Sequence, residues 1–179
     1  MVPPRTPSLT ASALEPVDSS AFRDAMSRLA SAVHVVTTAG EGARAGFTAS
    51  AVCSVTDAPP TLLVCINRGA SAYEAFSDAQ GLCVNVLGAT HREVSKAFGG
   101  RTAMEERFAL ADWVSGATGA PVLSDALAHF ECRVSQRVPV GTHDVLFCEV
   151  VSMSTRDESQ CLLYFDRRYH ELPLAVANG

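Results

Sequence analysis

Lysine is almost missing from this sequence. Lys96 is the only one among 14 basic residues in a chain of 179, set against 19 acidic residues for a net charge of −5. Nucleic-acid binding needs a cationic face to neutralise phosphates, and no arginine cluster here is long enough to make one. A small phosphorylated ligand, which needs only one or two arginines, remains compatible. Long apolar runs are missing as well. The best, Leu62 to Ile66, has strand length, far short of the roughly 20 residues that cross a bilayer, so no membrane association is expected. The first residues hold one basic side chain, Arg5, and no apolar core segment, so a secretion signal is not expected. None of the 6 cysteines pairs with another as CxxC. Most sit inside apolar runs, where cysteine behaves as a small hydrophobe, and buried free thiols in a reducing cytoplasm are the expectation rather than disulfides or zinc. No two histidines fall at metal-ligand spacing, no Ser/His/Asp arrangement is suggested, and no GxGxxG follows the first strand.

What remains is an ordinary globular balance, 47% hydrophobic and 18% charged. Residues 1–17, with Pro3, Pro4, Pro7 and Pro16 among small polar residues, read as a disordered proline-rich arm. Residues 18–179 read as one domain. Asp18 is placed to cap a helix in which Phe22, Ala25, Met26 and Leu29 recur at helical spacing. Val33 to Thr38 is β-branched and short, and Gly40-Glu41-Gly42 suits a hairpin turn. Strands are expected over 46–55, 61–66, 82–87, 129–138, 144–153 and 161–165, with short helices at 71–76 and 91–98. Gly99-Gly100 ends the second of these, and an irregular polar stretch follows over 101–124, carrying the only tryptophan, Trp113. Short strands without regular βαβ alternation point to a mainly β fold, a closed or nearly closed antiparallel barrel with peripheral short helices.

Three stretches could carry chemistry. Gly46 to Ser54 is built of small residues where a core strand would favour valine or leucine. Thr48, Ser50 and Ser54 stand at even spacing, so on one strand they share a face. A flat ligand could then lie against the backbone; equally, such a strand could lie under a close-packed neighbour. Cys65 to Tyr73 runs from a strand through a glycine loop to a helix opening at Ser71, an arrangement that suits phosphate but that any capped helix shares. His143 follows Val140-Gly141-Thr142 in a tight turn, the histidine best placed at a barrel rim, although a lone loop histidine is more often surface decoration. His34, on an apolar strand, reads as a satisfied core or interface residue. The cluster Asp166-Arg167-Arg168-Tyr169-His170 is either a solvated end or a lid.

Taken in order, Phe22-Arg23-Asp24-Ala25-Met26, Gly46-Phe47-Thr48-Ala49-Ser50, Pro60 through Asn67, Cys83-Val84-Asn85-Val86-Leu87, Phe98-Gly99-Gly100 and Gly141-Thr142-His143 resemble the short-chain flavin reductase family. The resemblance spans Phe22 to Leu172. Within the family, the runs Gly46 to Thr56, Pro59 to Cys65, Val140 to His143 and Phe165 to Arg167 are most like the branch serving pyrimidine utilisation. The same backbone is used by reductase components of two-component monooxygenases. The resemblance implies an antiparallel FMN-binding split barrel, a homodimer with flavin near the subunit boundary, and reduction of FMN or FAD by NADH or NADPH for a partner monooxygenase. It places Thr48, Ala49, Ser50, Ala51, Val52, Cys53 and Ser54 along the isoalloxazine and ribityl chain, followed by Cys65, Ile66 and Asn67. Ser71, Ala72 and Tyr73 fall at the phosphate, and Ser95, Phe98 and Gly99 over the outer part of the cofactor. His143, as the catalytic residue, and Tyr169 fall on the nicotinamide side; no metal is implied. Many members carry an acidic residue where this chain has Thr142, and the proline-rich arm has no counterpart in the family pattern. A split-barrel oxidase with tightly held FMN and a non-catalytic flavin-binding module are the competing expectations.

Overall fold

The computed structural model describes residues 15–40, 43–156 and 160–173. Most of the proline-rich arm, and two of the three residues proposed for the first hairpin turn, lie outside that set. Within it, one antiparallel sheet of seven strands runs in the order β3-β2-β6-β9-β10-β5-β4. These are β2 (His34–Gly40), β3 (Ala43–Ala49), β4 (Val52–Asp57), β5 (Pro60–Asn67), β6 (Gly81–Val86), β9 (Ala128–Val140) and β10 (His143–Thr155). Strands β3 and β4 are separated only by Ser50 and Ala51, yet stand at opposite edges of the sheet. Two residues cannot cross a flat seven-stranded sheet, because neighbouring strands lie about 4.8 Å apart. The sheet therefore curls until its edges meet at this corner, where the Cys65 N–H donates to the Ala51 carbonyl at 3.1 Å. The two edge strands are not paired to each other. This is the mainly β, antiparallel split barrel with peripheral short helices that the sequence implied.

The barrel is filled by one cluster that includes Val36, Phe47, Val64, Ile66, Leu82, Val84, Leu146 and Cys148. A second lies on the other face of β2, where Val33, Val35, Phe98, Phe108, Leu123 and Leu162 meet. The run from Val33 to Thr38 is thus buried on both faces, which explains why valine and threonine occupy both faces rather than alternating with charged residues. Helix α1 (Ser19–Met26) starts where expected: the Asp18 carboxylate accepts from the N–H groups of Ser20 and Ala21 at 2.9 and 3.0 Å. Helix α3 (Arg92–Gly99) ends at Gly100. A three-stranded sheet joins β1 (Ser31–Ala32), β11 (Cys161–Phe165) and β12 (Arg168–Leu172).

Several expectations are corrected. The strand proposed over 46–55 is two strands broken at Ser50, because the barrel closes there. The stretch 101–124 is not irregular: it holds α4 (Met104–Phe108) and the pair β7 (Trp113–Ser115) with β8 (Pro121–Leu123). Its order comes from aromatic packing, since the rings of Phe98, Phe108 and Trp113 lie 5.0 to 5.5 Å apart, within the range of favourable ring pairs. The charged cluster after β11 is neither a loose end nor a detached lid. It turns tightly, with Asp166 and Arg167 at positive φ, into strand β12. Helix α2 (Tyr73–Ser77) starts two residues after Ser71 and receives no side-chain cap. Of the cysteines, Cys83, Cys132 and Cys148 are buried, Cys65 and Cys161 half-buried, and Cys53 exposed; all are free thiols.

Candidate functional site

Where the barrel closes, a cavity of about 720 Å³ opens between three walls, a size typical of small-molecule sites. The first wall is the end of β3 and the closing corner: Thr48, Ala49, Ser50 and Ala51. The side chains are small because β3 must also approach α3 closely. A Cβ on Gly46 would stand 2.7 Å from the Phe98 ring. The Thr48 hydroxyl donates to the Ser95 carbonyl at 2.6 Å, so it ties the strand to α3. Beyond the corner the chain leaves the cavity: Val52 packs against the main core, and Cys53 and Ser54 are exposed on β4. Thr48, Ser50 and Ser54 therefore do not share one strand face, since the break at Ser50–Ala51 interrupts the alternation.

The second wall is the end of β5 and its loop. Cys65, Asn67, Gly69, Ala70 and Ser71 line the cavity. Asn67 Oδ1 accepts from the Gly69 N–H at 2.7 Å, shaping the turn. Ile66 and Ala72 point into the main core, and Tyr73 sends its hydroxyl to Asp144 at 2.8 Å. The Ser71 hydroxyl does not cap a helix; it accepts from Arg107 at 2.9 Å. Burial, with Cys53 nearby, raises the Cys65 pKa, and burial pushes Cys132 and Cys148 up to about 12. These thiols stay protonated at neutral pH and are poor nucleophiles.

The third wall comes from the end of α3 and the segment after it: Phe98, Gly99, Gly100, Arg101, Thr102 and Met104, with Arg107 behind them. Arg107, 2% exposed, is the main functional candidate that sequence reasoning missed. Its guanidinium donates to the carbonyls of Thr102 (2.8 Å), Gly46 (3.2 Å), Gly100 (3.2 Å) and Phe98 (3.5 Å), and to Ser71 Oγ. It thus joins all three walls. No carboxylate is among these partners, and burial lowers its pKa; a buried positive charge compensated only by neutral oxygens favours an anion nearby. The signal in the sequence was the pair Met104 and Phe108, four apart, which marks a short amphipathic helix and puts Arg107 on it.

His143 opens β10 at the rim of the same cavity, with Nδ1 3.0 Å from the Thr142 hydroxyl. Gly141, at φ +55°, makes the turn that presents it. Tyr169 lies elsewhere. With Ser95, whose hydroxyl is 2.9 Å from its own, it borders a smaller cavity of about 180 Å³. The two cavities share Thr48 and Ser50, and a third, of about 470 Å³, meets both at Ser50, the main one also at Ala51 and the smaller one also at Tyr164, beside Arg23 and Arg167. His143 and Tyr169 are thus not brought into one pocket; the corner at Ser50 lies between their pockets as a common border. His34 is buried, with Nδ1 3.2 Å from the Ala49 carbonyl, as a satisfied core histidine.

No group of three or more metal-binding side chains occurs among the described residues, and no helix there is long and apolar enough to cross a membrane. A small-walled cavity with a buried cation at one end and a histidine at its rim has the size and charge of a site for a small anionic molecule. Comparison with known proteins makes that class specific. The model of the flavin reductase like domain matches residues 26–173. The protein named FMN reductase (NADH) RutF 1 of Methylorubrum extorquens is 58% identical over 168 residues, covering 94% of this chain and 84% of its own length. A solved structure from Haemophilus somnus superposes with a TM-score of 0.85 at 50% identity, covering 87% of this chain and all of its own. BorF, the flavin reductase component of a bacterial two-component tryptophan halogenase, superposes with a TM-score of 0.82 at 29% identity, covering 88% of this chain and 100% of its own. The chain belongs to the flavin reductase family.

Proposed function

We propose that this protein reduces FMN with NADH and releases the reduced flavin to a partner oxygenase. The observation that carries this reading is the cavity at the barrel closure, open on one side, walled by Thr48 to Ala51 and backed by Arg107. The residues fit the ligand. Small side chains at 48–51 leave backbone for a planar ring to lie on. Arg107, with Arg101 and Ser71 beside it, makes the end at which a phosphate finds positive charge. FAD extends the same flavin beyond its phosphate and NADPH extends the second carrier, so both belong to the test.

When bound, the nicotinamide supplies a hydride and the flavin accepts it, so the protein needs neither nucleophile nor metal. Its work is placement: rings held about 3–3.5 Å apart react as though highly concentrated. The corner at Ser50 would hold the two carriers side by side, because it borders the main cavity and both neighbouring ones. His143 orients the nicotinamide from the rim of the main cavity, and Tyr169 does so from the adjoining one. Arg107 keeps the three walls in register.

A homodimer is part of the proposal. Phe22, Met26 and Leu29 on and after α1, and Val151 and Met153 on β10, are about half exposed, and a second copy would cover such apolar surface. A partner enzyme is supported by BorF, the flavin reductase component of a two-component tryptophan halogenase, and an oxygenase in that place by the similar structure described as nitrilotriacetate monooxygenase component B, 27% identical with a TM-score of 0.80. A cytoplasmic setting, where NADH is available, completes the reading.

Steady-state oxidation of NADH and NADPH with FMN, FAD and riboflavin supplied in turn tests it. NADH with FMN is expected to give the highest kcat/KM. Flavin binding without NADH oxidation would leave a binding module, and a yellow protein needing no added flavin would indicate an oxidase with tightly held FMN. His143→Ala is expected to raise the nicotinamide KM more than it lowers kcat.

A further inference from the structure

His143 opens a strand that is paired on both sides, to Val140 and to Asn67, while the tip before it, Gly141 and Thr142, projects beyond the β5 and β10 ladder. The residue that follows His143 adds a side-chain anchor to that tip. Alternation along β10 sends Asp144 to the opposite face from His143, toward the row of Leu146 and Cys148 that fills the barrel. There the Asp144 carboxylate uses both oxygens. Oδ1 accepts from Arg68 Nε at 2.7 Å, and Oδ2 accepts from the Tyr73 hydroxyl at 2.8 Å. Arg68 also holds the turn by two further contacts: its backbone N–H donates to the Thr142 carbonyl at 3.0 Å, and its Nη2 to the His143 carbonyl at 3.4 Å. Register places His143 opposite Asn67.

Arg68 and Tyr73 flank the loop 69–71, which is the second wall of the cavity. The wall and the histidine are therefore parts of one hydrogen-bonded unit with the carboxylate as its centre. Charge-assisted bonds of this length are the strong and directional kind. The Asp144 side chain is 12% exposed and Arg68 39%, so the pair is shielded on the carboxylate side. In agreement, Arg68 and Tyr73 hold the Asp144 pKa below the ordinary carboxylate value, and Asp144 raises those of both partners.

We propose that Asp144 is a positioning residue: gripped by Arg68 and Tyr73, it locks the turn that presents His143 to the loop that forms the flavin's wall. The role of His143 in it rests on the function proposed above; the mechanical lock does not. The lock bears more on the second substrate than on the flavin, because the 69–71 loop is also tied to Arg107 through Ser71, whereas the side-chain hold on the 141–143 turn comes from Arg68, which Asp144 keeps in place.

The test combines kinetics with a readout that needs no flavin. Asp144→Asn removes the charge but keeps the shape, and is expected to raise the NADH KM about tenfold, while the FMN KM changes less than twofold. Tyr73→Phe, which removes one bond and leaves the fold, is expected to raise the NADH KM two- to threefold. In a His143→Ala background neither change should add anything, since a residue acting through another is silent once that residue is gone. In parallel, NMR of protein carrying 13C-labelled histidine rings, with the His143 signal assigned by its loss in His143→Ala, should show that signal shifted or broadened in Asp144→Asn, with those of His34 and His91 unmoved. An unmoved His143 signal, or equal effects of Asp144→Asn with and without His143, would overturn the lock. A His143→Ala protein with an unchanged NADH KM, alongside a His143 signal that does move in Asp144→Asn, would overturn the proposed role of His143 and leave the lock standing.

Discussion

Helices α1 and α3 are each eight residues long and amphipathic, yet α3 buries Val94, Ser95, Ala97 and Phe98 whereas α1 buries no residue. Eight residues are too few for a helix to persist in water unaided. α3 is held by Phe98, wedged between β3 and the rings of Phe108 and Trp113. α1 is held by its Asp18 cap and by ion pairs to the β11–β12 turn, Arg28 with Asp166 and Asp24 with Arg167. Periodicity says that a helix has an apolar face; it does not say what covers it. One face here builds the cavity, and the other is left exposed.

The difference can be broken at graded cost. Phe98→Ala attacks the covered helix and is expected to lose about 3–5 kcal/mol of stability, the usual range for a fully buried phenylalanine, read as a lower urea midpoint. Arg107→Met strips the donors from four carbonyls and the Ser71 hydroxyl; buried acceptors left unpaired cost about 1–3 kcal/mol. A loss of about 2–3 kcal/mol is expected in the same assay, together with weaker FMN binding. Arg107→Lys should recover only part of either, because a single ammonium cannot reach every wall.

A smaller effect is expected from pH. Burial holds the His34 pKa below 6.5, and the hydrogen bond with Ala49 offsets this only in part. The unfolded chain therefore binds a proton first as pH falls. Stability is full above pH 6.5 and declines below it, so the urea midpoint should fall between pH 7.5 and 5.5, and less so in His34→Gln. The smallest effect on the single chain is expected at α1. Phe22→Ser should change its stability by under about 0.5 kcal/mol, yet shift sedimentation toward the monomer if this face is the subunit boundary. A Phe22→Ser protein that sediments like the wild type would move the boundary elsewhere.

How much of this could be read from residues alone depended on what each element packs against. Asp18 capping α1, the β-branched character of the Val33–Thr38 strand and the Gly100 helix end are local matters of side-chain chemistry, and the sequence displays them. The break at Ser50–Ala51 is not local. Small residues on both sides of it look like one strand, and only closure of the barrel separates them. That is why Thr48 to Ala51 line the cavity while Val52, Cys53 and Ser54 do not. Ser71 resembles a cap because its neighbours do not reveal that a guanidinium 36 positions later takes its hydroxyl. Arg107 went unseen for the same reason: its five partners come from three separate stretches of chain, and no spacing rule links them. Asp144 shows the reverse case, a residue next to a recognised histidine whose importance is visible only once Arg68 and Tyr73 close on it.

A flavin lying against the corner where the barrel closes would be displaced by added bulk there. Ala51 is exposed there and lines the cavity, so a bulky side chain at this position fills the site without disturbing the core. Titrating FMN into wild-type and Ala51→Phe protein, followed by flavin fluorescence, asks the question directly. Saturable binding to the wild type, and at least tenfold weaker binding to Ala51→Phe with an unchanged melting temperature, is the expected result. Equal FMN affinity in the two proteins would contradict it.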